Sequence, residues 1–156
     1  MKKNLSYLLT GVVSLVVTAG VWVSSGDGTS AVFFGVGSLL ALILLVIDEQ
    51  KLANLYADQG VTGRVVITRS ALFLMALIPL GLFVTTSSGS SLGKGMVMTL
   101  LLGVWFEMVT ARKNLEFFNA RFLSQLKTPL GQQGVMAVLA SIGFFWLFLL
   151  VATVIV

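Results

Sequence analysis

The chain has no cysteine and no histidine among its 156 residues. The first absence removes disulfides and thiolate chemistry; the second removes imidazole ligation of a metal or haem and the commonest general base. Charge is scarce as well: Asp, Glu, Lys and Arg make up 10% of the chain, against about 25% in soluble domains. No phosphate-cradling glycine loop, nucleophile elbow or zinc spacing occurs. Most enzyme classes fall with these absences. A non-catalytic protein is expected, with no cofactor and no metal.

What the chain does have is apolar surface. Its hydrophobic fraction is 57% and its mean hydropathy +1.02, well above the soluble norm of about 45 to 50% apolar. Five apolar stretches stand out, roughly residues 5–23, 30–47, 65–86 (starting at Val65 or at Ser70), 95–111 and 132–156. Each is near the ~20 residues that cross about 30 Å of hydrocarbon as a helix. The runs are continuous, which excludes the alternation of a lipid-facing barrel strand. The fold class follows: all-α, a polytopic integral membrane protein forming one transmembrane domain over residues 1–156, a bundle of about five transmembrane helices. The opening MKKN followed by LSYLLTGVVSLVVTAG resembles a signal peptide, with a small-residue site near Ala19. It is read as an uncleaved first span.

The connections differ in character. SSGDGTS (24–30) and SSGSSLGKG (87–95) are short and rich in residues that suit tight turns. The connections 48–69 and 112–130 are longer and hold most of the charge. If all five segments cross, Lys2, Lys3, Lys51, Arg64, Arg69, Arg112, Lys113, Arg121 and Lys127 share one face, and only Lys94 lies on the other. By the positive-inside rule this places the N-terminus in the cytoplasm and the C-terminus outside. The expected location is the plasma (inner) membrane of a prokaryote. The net charge of +4 is then a topology signal, not a sign of nucleic-acid binding. Expected partners are anionic lipid headgroups at the cytoplasmic face and other membrane subunits or further copies of the chain.

Aromatic residues agree in part. Tyr7 and Trp105 suit the cytoplasmic interface and Trp22 the outer one; Trp146 falls mid-span, where it either packs between helices or faces lipid. Small residues recur four apart in Ser14/Thr18, Ala31/Gly35, Gly37/Ala41, Gly81/Thr85, Thr99/Gly103 and Ala137/Ser141. That spacing lets helix backbones approach where lipid offers no hydrophobic drive to associate. Pro79 is expected to kink the third span. The two hairpins do not align convincingly as a repeat.

Glu107 is the one ionisable residue expected within hydrocarbon, where a charge costs on the order of 3 kcal/mol. Arg112 follows about 7.5 Å further along the helix axis, and the nearby Trp105 suggests that Glu107 lies close to the headgroups. Glu107 is therefore expected in an interfacial or inter-helix role, paired with Arg69 or Arg112, with an ion or substrate site as the alternative. A lipid-headgroup enzyme built on Glu107, Arg112 and Lys113 lacks an acid–base pair.

Over 111–127, Ala111, Leu115, Phe118, Phe122 and Leu126 fall on one helical face, with Lys113, Glu116, Ser124 and Lys127 opposite. A cytoplasmic amphipathic helix is expected here, its apolar face (Leu115, Phe118, Phe122, Leu126) seated on the membrane surface or docked on a partner. DEQKLANLYADQG should extend the second helix to a C-cap near Gly60. Asp48, Glu49 and Asp58 form the only acidic cluster. Asp48 and Glu49 diverge by about 100° around a helix and are not expected to converge. The functional expectation is a small accessory or structural subunit of a larger membrane complex. The alternative is a homo-oligomeric channel or small transporter that uses Glu107.

Overall fold

In the computed structural model, which describes residues 2–52, 67–126 and 128–155, every regular element is helical. The elements are α1 (Lys2–Ser25), α2 (Gly28–Ile47), a π-helical turn (Asp48–Leu52), a 3-10 turn (Ile67–Arg69), α3 (Ala71–Thr86), α4 (Ser91–Ala111), α5 (Leu115–Phe122) and α6 (Gln132–Ile155). Among the described residues, four helical segments are long and apolar enough to cross a membrane: Leu5–Ser25, Gly28–Gln50, Ser91–Ala111 and Gln132–Val154. With 16 residues, α3 is shorter.

Turn chemistry sets the two hairpins. Gly26, at φ 63°, lets the chain leave α1, and Asp27 then caps α2 by accepting from the N–H groups of Thr29 and Ser30. Gly89, at φ 61°, does the same after α3, and Ser90 caps α4 through the N–H of Gly93. Glycine takes this left-handed backbone without the Cβ clash that other residues meet. Serine and aspartate oxygens satisfy N–H groups that a helix start leaves without partners.

The core is organised around α4, which packs against α1, α2, α3 and α6. Its closest neighbour is α2, because glycine stands at the crossing on both sides. A Cβ on Gly37 would lie 2.0 Å from the Leu92 carbonyl oxygen, and one on Gly95 would lie 2.1 Å from that of Phe34. Backbones that touch this way gain dispersion contacts that larger residues would forbid. Polar contacts reinforce the seam: the hydroxyls of Ser14 and Thr99 lie 3.0 Å apart, joining α1 to α4.

Most of the small-residue pairs are used inside the chain. Ala31, Gly37, Ala41, Gly81, Thr85, Thr99 and Gly103 are buried, while Ala137 and Ser141 on α6 remain exposed. Trp146 packs between helices, donating its indole N–H to the Met98 carbonyl at 3.1 Å. Trp105 makes the matching contact to Leu139 at 2.9 Å. Both rings join α4 to α6. Pro79 sits inside α3 without ending it.

Of the two starts expected for the third segment, 65 or 70, the helix takes the later: the 3-10 turn Ile67–Arg69 precedes α3, and Ser70 caps α3 by accepting from Phe73 N–H at 3.1 Å. Residues 65 and 66 lie outside the described residues. The amphipathic helix expected over 111–127 is shorter. The chain turns after Ala111, Asn114 caps a new helix through Phe117 N–H, and that helix ends at Phe122. A side-chain amide at Asn114 competes with the backbone for helix continuation, so the periodic pattern is cut at its N-terminal end. The expected C-cap at Gly60 and Asp58 itself lie outside the described residues, as does Lys127.

Candidate functional site: a buried ionic cluster at one end of the bundle

Alternating helix directions bring the start of α1, the end of α2, the approach to α3 and the end of α4 to the same end of the molecule. Here Arg69 is fully buried, and its guanidinium is enclosed by groups from four parts of the chain. Its Nε donates to Glu107 Oε2 at 3.0 Å and its Nη2 to Glu107 Oε1 at 2.5 Å, a side-on bidentate pair. Nη1 donates to the Leu45 carbonyl at 3.1 Å and to Thr68 Oγ1 at 2.8 Å. Nη2 also donates to the Tyr7 hydroxyl at 2.7 Å. All three guanidinium nitrogens are thereby engaged, as burial of a permanent charge requires.

The carboxylates are engaged as well, although Asp48 uses only Oδ2 and its buried Oδ1 has no hydrogen-bond partner among the described residues. Asp48, 1% exposed, accepts from the backbone N–H of Thr68 at 2.7 Å and from the Thr68 hydroxyl, and lies 3.6 Å from Arg69. Glu49 accepts from Arg121, whose Nη2 also reaches Glu107 Oε2 at 3.3 Å. Arg121 rests near the rings of Phe117 and Phe122, with centroid distances of 5.7 and 5.9 Å. Two guanidiniums are thus shared among three carboxylates, so the cluster binds α2, the 3-10 turn, α4 and α5 through one network. Removing either arginine leaves carboxylates short of a partner, and removing Glu107 takes from Arg69 both of its direct carboxylate hydrogen bonds.

Of the residues singled out by sequence, Glu107 and Arg69 meet in this cluster. Arg112 does not: it is the exposed C-cap of α4 and makes no ion pair among the described residues. Arg69, one of the two partners expected for Glu107, points into the bundle and pairs with it there. Asp48 and Glu49, expected to diverge, both lie within 4 Å of Arg69, at 3.6 and 3.8 Å. The helix is wound as a wide π turn there, and the breadth of the guanidinium fork lets one cation meet both.

The expected outward face of the amphipathic segment divides. Phe118 and Phe122 are fully buried, with ring centroids 5.2 Å apart; Leu115 is half-buried, and Leu126 is 46% exposed. Burial of the two phenylalanines turns this face into the bundle and carries Arg121 to Glu49 and Glu107. Sequence reasoning missed Arg121, Tyr7, Glu49, Asp48 and Thr68 as partners. Their one legible signal was two adjacent acids at the end of a very apolar helix.

Among the described residues, the fold and this cluster define an all-helical protein with four helices long and apolar enough to cross a bilayer, closed at one end by buried charge. No protein-family model, curated protein or solved structure matches it, so the functional reading rests on the geometry itself.

Proposed function

We infer that this chain is a small, non-catalytic, multi-pass protein of a prokaryotic plasma membrane that serves as an accessory or structural subunit beside other membrane proteins. One observation carries the reading: both oxygens of Glu107 are held by Arg69 and Arg121. A carboxylate engaged in this way is a helix fastener. To act as an ion site in a channel or transporter it would have to leave two cations in a buried setting, at a cost of several kcal/mol.

In this reading α3 is the fifth crossing. Its 16 residues span about 24 Å, and the preceding 3-10 turn adds roughly 6 Å, which together match the apolar layer. Neutralisation of Arg69 by Glu107 is what lets that turn sit so deep. An odd number of crossings and the one-sided Lys/Arg tally then put the N-terminus in the cytoplasm and the C-terminus outside. Association with a neighbouring subunit would use α6, where Ala137 and Ser141 stay exposed beside an apolar cleft of about 280 Å³ between α3, α4 and α6.

Purification in mild detergent followed by mass spectrometry of co-purifying chains tests this. Stoichiometric larger subunits are expected. A discrete homo-oligomer that passes ions in proteoliposomes would instead establish the channel alternative.

A further inference from the structure

A second polar feature lies apart from the ionic cluster. The turn after α4, the start of α5 and the first turn of α6 enclose a pocket of about 520 Å³ lined by Arg112, Lys113, Leu115, Gln132, Val135 and Met136. Arg112 and Lys113 are both exposed, and neither forms an ion pair or hydrogen bond among the described residues. Glu116, the nearby carboxylate in sequence, pairs with neither. The cavity therefore holds two cations without ion-pair partners, whereas Arg69 and Arg121 in the ionic cluster are both paired with carboxylates.

The pocket is also held in shape. Asn119 on α5 clamps the residue that leads into α6, donating to the Leu130 carbonyl at 3.0 Å and accepting from the Leu130 N–H at 2.8 Å. This fixes the wall carrying Gln132 relative to Leu115. Gln132, on the first turn of α6, lines the same wall and brings its side-chain amide to the pocket's edge. Buried Val135 and half-exposed Met136 supply an apolar floor.

Its level is set by two helix ends. The apolar segment of α4 stops at Ala111 and that of α6 begins at Gln132, so the pocket straddles the border between hydrocarbon and water. Cations above an apolar floor at that depth match a phosphodiester headgroup with its glycerol and first acyl carbons below. We propose that Arg112, Lys113 and the first turn of α6 form a binding site for the headgroup of an anionic phospholipid. The site rests on the membrane reading of the helices but not on the accessory role.

Native mass spectrometry of the full chain in a neutral detergent, titrated with phosphatidylglycerol or phosphatidylcholine, tests it. The expected result is preferential retention of phosphatidylglycerol, reduced about fivefold for each cation removed in Arg112→Gln and Lys113→Gln. Lys94→Gln, at the opposite end, should leave retention unchanged, and Gln132→Glu should weaken it by placing a carboxylate in the pocket. Equal binding of the two lipids by the unaltered chain, or undiminished phosphatidylglycerol binding by the Arg112→Gln/Lys113→Gln variant, overturns the site. Displacement by millimolar inorganic phosphate would mark a free-anion site and overturn the lipid assignment. A chain that purifies without other subunits would contradict the accessory role while leaving these outcomes readable.

Discussion

Arg69 and Glu107, 38 positions apart in sequence, meet side-on with two parallel hydrogen bonds of 3.0 and 2.5 Å in a setting where Arg69 has no solvent exposure and Glu107 only 9%. Burial makes the pair asymmetric in its consequences. Forming it costs desolvation of both charges, so its net contribution is modest; breaking it leaves a stranded charge, which costs about 3 to 5 kcal/mol. Glu107→Gln should therefore lower stability by that order, read as a fall in the detergent midpoint for unfolding. A loss below about 1 kcal/mol would mean that Arg69 finds another partner at no cost.

Arg69→Lys should behave as a disruptive change although it keeps the charge. A lysine ammonium cannot reproduce the Nε and Nη2 fork on Glu107 while also reaching Leu45, Thr68 and Tyr7. Arg112→Lys and Arg112→Gln, at an exposed and unpaired position, should change stability by no more than about 0.5 kcal/mol. Unfolding midpoints measured side by side decide this; comparable losses at 69 and 112 would refute the burial argument.

Gly95→Ala should separate α2 from α4, since the new methyl would sit 2.1 Å from the Phe34 carbonyl oxygen. A backbone oxygen cannot step aside as a side chain can, so a cost of about 1 to 3 kcal/mol is expected. Gly20→Ala meets nothing within 4 Å and should be neutral or stabilising by about 0.5 to 1 kcal/mol. Equal effects of the two substitutions would argue against the close crossing.

Asp27 gives a pH dependence outside the apolar layer. Its carboxylate is held below the ordinary value of 3.8 by the hydroxyl of Ser30 and then by the N–H groups of Thr29 and Ser30. A depressed folded-state pKa contributes stability that is present above 3.8 and is lost as pH falls through the lower folded value. The advantage of the natural chain over Asp27→Asn should therefore shrink as pH is lowered from 7 toward 3. A gap between the two chains that widens on acidification would reverse the assignment.

Much of the helical framework was legible because it is local. Apolar run length located α1, α2, α4 and α6 within a few residues, and Gly/Ser-rich turns marked the hairpins. The pairing of Glu107 with Arg69 was one of two options, since both candidate cations flank apolar segments and spacing alone cannot choose between them. The choice of Arg69 over Arg112 depends on α3 returning beside α4, which is tertiary information. Phe118 and Phe122 illustrate the same limit: periodicity reveals an apolar face but not what that face meets. Asn114 and Asn119 decide it, one by capping a separate α5 that begins only at Leu115 and the other by tying α5 to Leu130. Only with that fold-back does Arg121 reach Glu49 and Glu107.

A double-mutant cycle between Arg69 and Glu107, followed by thermal unfolding of the full chain in detergent, tests the fastening role of the cluster most directly. With Arg69→Met, Glu107→Met and the combined variant, the single changes should each be strongly destabilising and the double change no worse than either. That corresponds to a coupling at least as large as one single loss, about 3 kcal/mol or more, at or above the top of the roughly 0.5 to 3 kcal/mol seen for contacting residues. Single losses that simply add in the double variant, with coupling within about 0.3 kcal/mol of zero, would show that the two residues do not fasten the helices through each other.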